Sequence, residues 1–381
     1  MASTMLIRGG DGNRGGYSTR GDVLVNKTAD GVDLNKMWGE LIDATDVYNK
    51  QRSAIAGLLS YHTTRPGDAV LQSVRGELFE EATEFGVPTG TSEPNYLKLG
   101  YNLKDYDLGL RSTWRYLRDA TSEQVQDRVR RIYEADNLLV NSLVLQRLFS
   151  PVESTTMESG LTCYGLWNGD GMVPPTEMGK TFDGTHTHYL TTNGTALLAS
   201  HVEGMLAHTR HHGYGTTQAA QLILFMHPDD VETSGMTSWR AGVTAGGSTP
   251  KYDFIVSSSA PAFLTTERVQ GTPPPPDYAG LPVLGSYGGA LVITSHFIPL
   301  HYVALAASGG VNSSDNPVAL REHADPDYRG LRLIPGSGPY PLVQSQFARS
   351  IGVGVRHRGA AVVCQIVNSA TYTEPTFVFT K

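Results

Sequence analysis

The sequence predicts an α+β fold built on one long helix and many short strands. Three observations carry that prediction. About 27 residues from Glu123 onward run without glycine or proline and place their apolar side chains on one stripe. Several segments of four to eight residues are either alternating or continuously apolar, which is how half-buried and fully buried strands read. Of 381 residues, 42 are glycine and 21 are proline. That glycine share exceeds the usual ~7% and argues for many turns rather than a helical bundle.

Charge and cysteine usage exclude several classes. Thirty basic residues face 37 acidic ones, for a net charge of −7, so no dominant basic face is available for a dedicated nucleic-acid binder. Two cysteines, Cys163 and Cys364, exclude a disulfide framework and a four-thiolate zinc site. They are expected as two thiols. The opening residues lack the basic start and apolar run of a signal peptide. The most apolar stretch, Ala290 to Ala307, is interrupted by His296, Pro299 and His301, so it reads as buried strands with a break. No membrane partner is expected.

Along the chain, residues 1–31 are glycine-rich, mildly basic through Arg8, Arg14, Arg20 and Lys27, and too poor in apolar residues for a core. Residues 32–60 read as a helix capped by Asp33, with Leu34, Met37, Trp38, Leu41 and Ile42 at helical spacing and a weakening near Gly57. Residues 61–112 read as an extended hairpin. Its strand-like pieces are Ala69 to Val74, Leu97 to Leu103 and Tyr106 to Leu110, around an irregular FGVPTGTSEP. Leu97, Leu99, Tyr101 and Leu103 alternate with polar or small residues, a period of two. A long two-stranded hairpin is marginal alone in water, so it must lie on something.

TWRYLRDAT reads as a short strand ending at Asp119, with Thr121 or Ser122 capping the long helix. At 1.5 Å per residue that helix is about 40 Å long, a spine. NGDG at 168–171 is a turn. Residues 194–212 read as a second amphipathic helix and Gln221 to Met226 as a buried strand ended by HPDD. Lys251 to Val256, Ala290 to Ser295, Gly352 to His357, Ala361 to Asn368 and Thr376 to Phe379 are further strand candidates. The four prolines at 273–276 are a connector.

No motif carries catalysis. Gly10-x-Gly12-x-x-Gly15 matches a dinucleotide fingerprint only as text, because no strand precedes it and no helix follows. Gly179-Lys180-Thr181 resembles the end of a phosphate loop, but Pro174 and Pro175 remove the amide donors that would cradle phosphate. Six of the twelve histidines lie between His186 and His212. His208 and His212 have ligand-compatible spacing, yet no HExxH arrangement exists, so surface or interface histidines are expected. Catalytic, cofactor and metal residues are accordingly expected to be absent.

The order of parts resembles the major capsid protein of tailed bacteriophages, the Johnson fold. Three stretches carry the resemblance: LRSTWRYLRDATSEQVQDRVRRIYEADNLL leading into the spine helix, YGLWNGDG after it, and QLILFMHPDDVE with the later GLPVLGS. FARSIGVGVRHRGAAVVCQI is similar to the family's closing strands. The resemblance implies an N-terminal arm with helix (1–60), an extended β-hairpin loop (61–112), a spine-helix peripheral domain (113–215 and 336–381) and an inserted axial domain (216–335). It implies a non-enzymatic shell subunit forming hexamers and pentamers of an icosahedral head around double-stranded DNA, located in the virion and assembled in the host cytoplasm. Expected partners are a separate scaffolding protein, a portal protein, decoration proteins and the enclosed DNA by weak contact. Arg8, Arg14, Arg20, Tyr96, Leu97, Leu99 and Tyr101 are expected at inter-subunit contacts. An encapsulin-type compartment shell shares the fold and is the alternative. A metal-dependent hydrolase using the His186 to His212 cluster is a weaker one.

Overall fold

The computed structural model describes residues 27–50, 53–73, 81, 84, 86–87, 96–177, 179–216, 220–244, 246–258, 273–336 and 344–380. The arm residues Arg8, Arg14 and Arg20, and the fingerprint-like glycines at 10–15, lie outside the described residues.

The helix expected over 32–60 is two helices. In α1 (Leu34–Lys50) Leu34, Met37 and Leu41 are buried. Asp33 Oδ1 accepts from the Asn35 N–H at 2.8 Å, the anticipated cap. The second, α2 (Ala54–Leu59), is apolar on every side and buried from Ile55 to Leu59. The difference has a simple origin. An amphipathic helix lies at a surface, whereas AIAGLL must be surrounded.

Strand β1 (Ser60–Thr63) follows directly. Then β2 (Gly67–Leu71) pairs antiparallel with β3 (Tyr96–Gly100), Val70 opposite Leu97 and Leu71 opposite Tyr96. Tyr101 separates β3 from β4 (Asn102–Arg111). TWRYLRD is not a strand but a short helix, α3 (Trp114–Asp119). Thr113 Oγ1 accepts from the Tyr116 N–H and Leu117 is fully buried, so a cap and one buried side chain override the aromatic, strand-like composition. The spine helix is α4 (Ser122–Phe149). Thr121 and Gln124 cap it reciprocally: the Thr121 N–H donates to Gln124 Oε1 at 3.1 Å, and the Gln124 N–H to Thr121 Oγ1 at 3.4 Å. Val125, Val129, Ile132, Leu139, Val140, Leu143, Val144 and Leu148 are all buried, as the stripe requires.

After it come the two-residue strands β5 (Ser154–Thr155) and β6 (Thr162–Cys163), then β7 (Tyr189–Thr191) and helix α5 (Ala199–Arg210). Strand β8 (Gln221–Met226) has the predicted bounds. It ends in α6 (Pro228–Ser234), where proline sits in the first turn and His227 accepts from the Asp229 N–H. The rest is strands: β9 (Phe254–Val256), β10 (Asp277–Tyr278), β11 (Leu281–Tyr287), β12 (Ala290–Thr294), β13 (Tyr302–Ser308), β14 (Val318–Arg321), β15 (Leu331–Pro335), β16 (Gln344–Val355) and β17 (Ala361–Gln365). Thr376 to Phe379 form no strand. Phe377 and Phe379 pack on the main core instead, so apolar alternation there reflects contact without a ladder partner.

Two sheets dominate. One is mixed, in the order β10-β11-β12-β8-β13-β17-β7 with β9 on β11. Its central strands β8, β12 and β13 are continuously apolar and nearly all buried, as strands covered on both faces must be. The other runs β1-β14-β16-β15, with β4 also on β16. The expected peripheral and axial segments both contribute strands to the eight-stranded sheet. Contacts divide the chain into two compact units, one of 1–47, 107–132 and 333–347, the other of 48–106, 133–332 and 348–381. In the first, Leu34, Met37, Leu41, Leu110, Leu117, Val125, Val129 and Ile132 are buried. The second holds both large cores, one around Leu143, Phe225 and Ile293, the other around Met205, Leu224 and Leu305. Cys163 and Cys364 are free and buried. Among the described residues no helix is long and apolar enough to cross a membrane.

Candidate functional site

The hairpin is the feature that sequence singled out, and its root is built into the chain's own body. Leu99 and Tyr101 are fully buried and form a small core with Val70 and Ala319, against which Leu97 and Tyr164 pack. Leu99 and Tyr101, expected at inter-subunit contacts, thus lie in the subunit's own core, with Ala319 of β14 beside them. Burial also pushes the Tyr101 hydroxyl up. Tyr96 is 57% exposed and its cross-strand partner Leu71 36% exposed. The hairpin is therefore apolar inward on the face of Val70, Leu97 and Leu99 and exposes Leu71 and Tyr96 on the other.

Arginines fasten the root of the hairpin. Arg321 Nη1 donates to the Tyr101 carbonyl at 3.0 Å and its Nη2 to Glu158 Oε2 at 2.6 Å. Arg356 lies 4.7 Å over the Tyr61 ring and reaches Asp68 Oδ2 at 3.3 Å. Gln72 closes the other strand: its Nε2 donates to the Arg356 carbonyl at 2.9 Å, and its Oε1 accepts from the Arg358 N–H at 3.0 Å. Glycine permits the close approach of β16. A Cβ at Gly352 would stand 2.2 Å from the Asn102 carbonyl oxygen, and one at Gly354 2.6 Å from the Tyr101 ring.

The YGLWNGDG segment is organised around Arg358, whose side chain is fully buried. Its Nε donates to the Gly165 carbonyl at 3.0 Å. Its Nη2 donates to the Leu166 carbonyl at 3.1 Å, Asn168 Oδ1 at 3.2 Å and Asp170 Oδ2 at 2.8 Å. The guanidinium lies 4.3 Å from the Trp167 ring centre and 4.9 Å from that of Tyr164. Gly169 and Gly171 take positive φ, so the turn closes without strain. Burial alone would raise the Asp170 carboxyl, but the Arg358 hydrogen bond and charge outweigh it and hold it below its ordinary range. Sequence reasoning missed Arg358. The available signal was three arginines, Arg349, Arg356 and Arg358, clustered in otherwise apolar closing strands.

The histidines expected at the surface are instead gathered. His188 is fully buried, His212 is buried, and His186 and His211 are half-buried. His186 and His188 come from the loop before β7, and His211 and His212 from the end of α5. Phe182 stacks on His212 with ring centres 4.4 Å apart. Burial pushes the His186 and His211 imidazoles down to about 4 and His212 to about 2, and holds His188 well below its ordinary value. The phosphate-loop look-alike leads into no helix, and the Lys180 and Glu177 backbones exchange hydrogen bonds in both directions, at 2.8 and 3.2 Å.

No family model and no curated protein matches the chain. Solved structures do. One from Mycobacterium phage Patience is 35% identical over 92% of this chain and 93% of its own, with a TM-score of 0.69. The capsid of an empty GTA particle matches 83% of this chain and 90% of its own at 15% identity and a TM-score of 0.44. The holo-SrpI encapsulin of Synechococcus elongatus PCC 7942 matches 88% and 98% at 13% and 0.42. The last two are too distant to weigh between phage head and encapsulin; the first is not. With its long capped helix, mixed sheet and rooted hairpin, and at that identity over nearly its whole length, the chain belongs to the tailed-phage major capsid proteins of the Johnson fold, and is a structural shell subunit rather than an enzyme.

Proposed function

We propose that the subunit assembles as hexamers and pentamers into an icosahedral head enclosing double-stranded DNA, with Tyr96 and Leu97 covered by a neighbouring copy. The working parts in this reading are the arm (1–60), the extended loop (61–112), the peripheral part (113–215 and 336–381) and the axial part (216–335). The last two share a sheet. The observation that carries the reading is the two-faced hairpin: Val70, Leu97 and Leu99 pack inward on one face, while the cross-strand pair Leu71 and Tyr96 is exposed on the other. Apolar residues so presented favour burial against a partner. Shell interfaces of the obligate kind bury about 2,000–5,000 Å².

In this proposal Arg8, Arg14 and Arg20 of the arm contact neighbouring subunits, with weak, salt-dependent contact to the genome. Assembly takes place in the host cytoplasm on a separate scaffolding protein, and the finished head carries a portal and decoration proteins. Co-expression with a candidate scaffolding protein followed by negative-stain imaging tests the reading. Closed icosahedral particles are expected. Only dispersed subunits or open sheets, with the scaffold present and soluble, would contradict it.

A further inference from the structure

We propose that His186, His188, His211 and His212 form a closed, structural binding site for one divalent late transition metal, zinc by coordination preference, which ties the loop before β7 to the end of α5. Each of the four offers one ring nitrogen, and these nitrogens all lie within 4.8 Å of one another. The inference does not depend on how the shell assembles.

Hydrogen counting argues for a cation. His188 Nδ1 is 2.6 Å from the Ala361 carbonyl, so it is the donor there, and in an uncharged ring Nε2 is then a bare lone pair. That lone pair faces His186 Nε2 at 3.1 Å, which in turn faces His212 Nε2 at 3.0 Å. If His186 Nε2 carries a hydrogen, it must divide it between two lone pairs. If it carries none, it confronts the His188 lone pair outright. His211 Nε2 is buried with no partner at all. A cation at the centre gives every one of these nitrogens a partner at once.

The dimensions suit a small tetrahedral ion. Zinc bonds imidazole nitrogen at about 2.0–2.1 Å, which in a tetrahedron separates the nitrogens by roughly 3.3 Å. Two of the separations are already close to that, and imidazole rotation brings in the wider ones. The surroundings match a metal site as well. The His188 Nδ1–H to carbonyl bond is the outer-shell contact that fixes a ligand's tautomer and orientation. His208 stacks parallel on His186 at 5.6 Å, with its own Nδ1 turned to the Gly204 carbonyl at 2.9 Å. Phe182 lies against His186, His211 and His212, with ring centres 4.9, 5.0 and 4.4 Å away. Four protein nitrogens leave no open position, so the site is structural rather than catalytic.

The test uses the full-length chain purified without an affinity tag or metal resin. Elemental analysis is expected to find about one zinc per chain. After chelation, Co²⁺ titration should give the intense ligand-field bands of a tetrahedral nitrogen site, with saturation at about one equivalent. His188→Gln and His212→Gln should weaken Co²⁺ binding at least about tenfold. His296→Gln, outside the cluster, should leave it unchanged. Less than about 0.1 zinc per chain with no tetrahedral Co²⁺ spectrum in the folded wild-type chain overturns the proposal. An octahedral spectrum, or equal binding by the cluster variants, overturns it too. Should the variants fail to fold, the stoichiometry and spectrum of the wild-type chain decide alone.

Discussion

Replacing Arg358 by methionine isolates the organising contact of the 164–171 segment. Methionine keeps most of the apolar stem but removes every donor. The Gly165 and Leu166 carbonyls, Asn168 Oδ1 and Asp170 Oδ2 then lose their shared partner, and two aromatic faces lose a cation. Asp170 is the costly one, because its carboxylate is only 14% exposed. Removing one partner of a buried pair typically costs about 3–5 kcal/mol. At about 2 °C per kcal/mol for a chain of this size, the melting temperature should fall by roughly 6–10 °C. Differential scanning calorimetry of the dispersed subunit reads this directly. Adding Asp170→Asn to Arg358→Met should recover part of the loss, since it removes the uncompensated charge. A fall under about 2 °C for the single variant, or no recovery in the double, would refute the reasoning.

Three further outcomes follow from the same contacts. Gly352→Val drives a side chain into the Asn102 carbonyl and should leave little soluble folded chain, whereas Val353→Ala on the same strand should remain soluble; comparable yields would sink the close-approach argument. Tyr96→Asp changes an exposed side chain, so the subunit's unfolding free energy should move by no more than about 0.5 kcal/mol, yet the yield of closed particles should drop sharply by sedimentation. His357 is held down to about 4 by burial, although its Nε2–H to the Ser314 carbonyl opposes this. The unfolded chain protonates that ring near pH 6.5, so its stabilising contribution is complete above that pH and is lost as pH falls toward 4. His357→Gln should flatten the stability profile in that window, and an unchanged slope between wild type and variant would remove His357 as a cause.

What could be read from the sequence was what depends on near neighbours. The spine helix was legible because 28 residues carry one apolar stripe and the Thr121–Gln124 box lies at its start. Strand β8 was legible to the residue because QLILFM is bounded by HPDD. Errors arose where local composition and tertiary contact disagree. The aromatic TWRYLRD looks like a strand, but Thr113 caps it as a helix and Leu117 turns into a core. Alternation correctly marked Leu99 and Tyr101 as facing something apolar. It could not say what, because Ala319 lies more than two hundred residues away. The histidines cluster in the sequence, but their burial together was not legible for the same reason. Their convergence depends on β7 pairing in parallel with β17, whose Ala361 carbonyl orients His188.

Electron cryo-microscopy of the assembled product tests the central claim most directly. The account predicts a closed icosahedral shell in which the root of β2–β3 sits in its own subunit on Val70, Leu99 and Tyr101, and Tyr96 is buried against a neighbouring copy. A shell in which Tyr96 stays in solvent, or in which Leu99 and Tyr101 have left their own subunit to meet another, would contradict it.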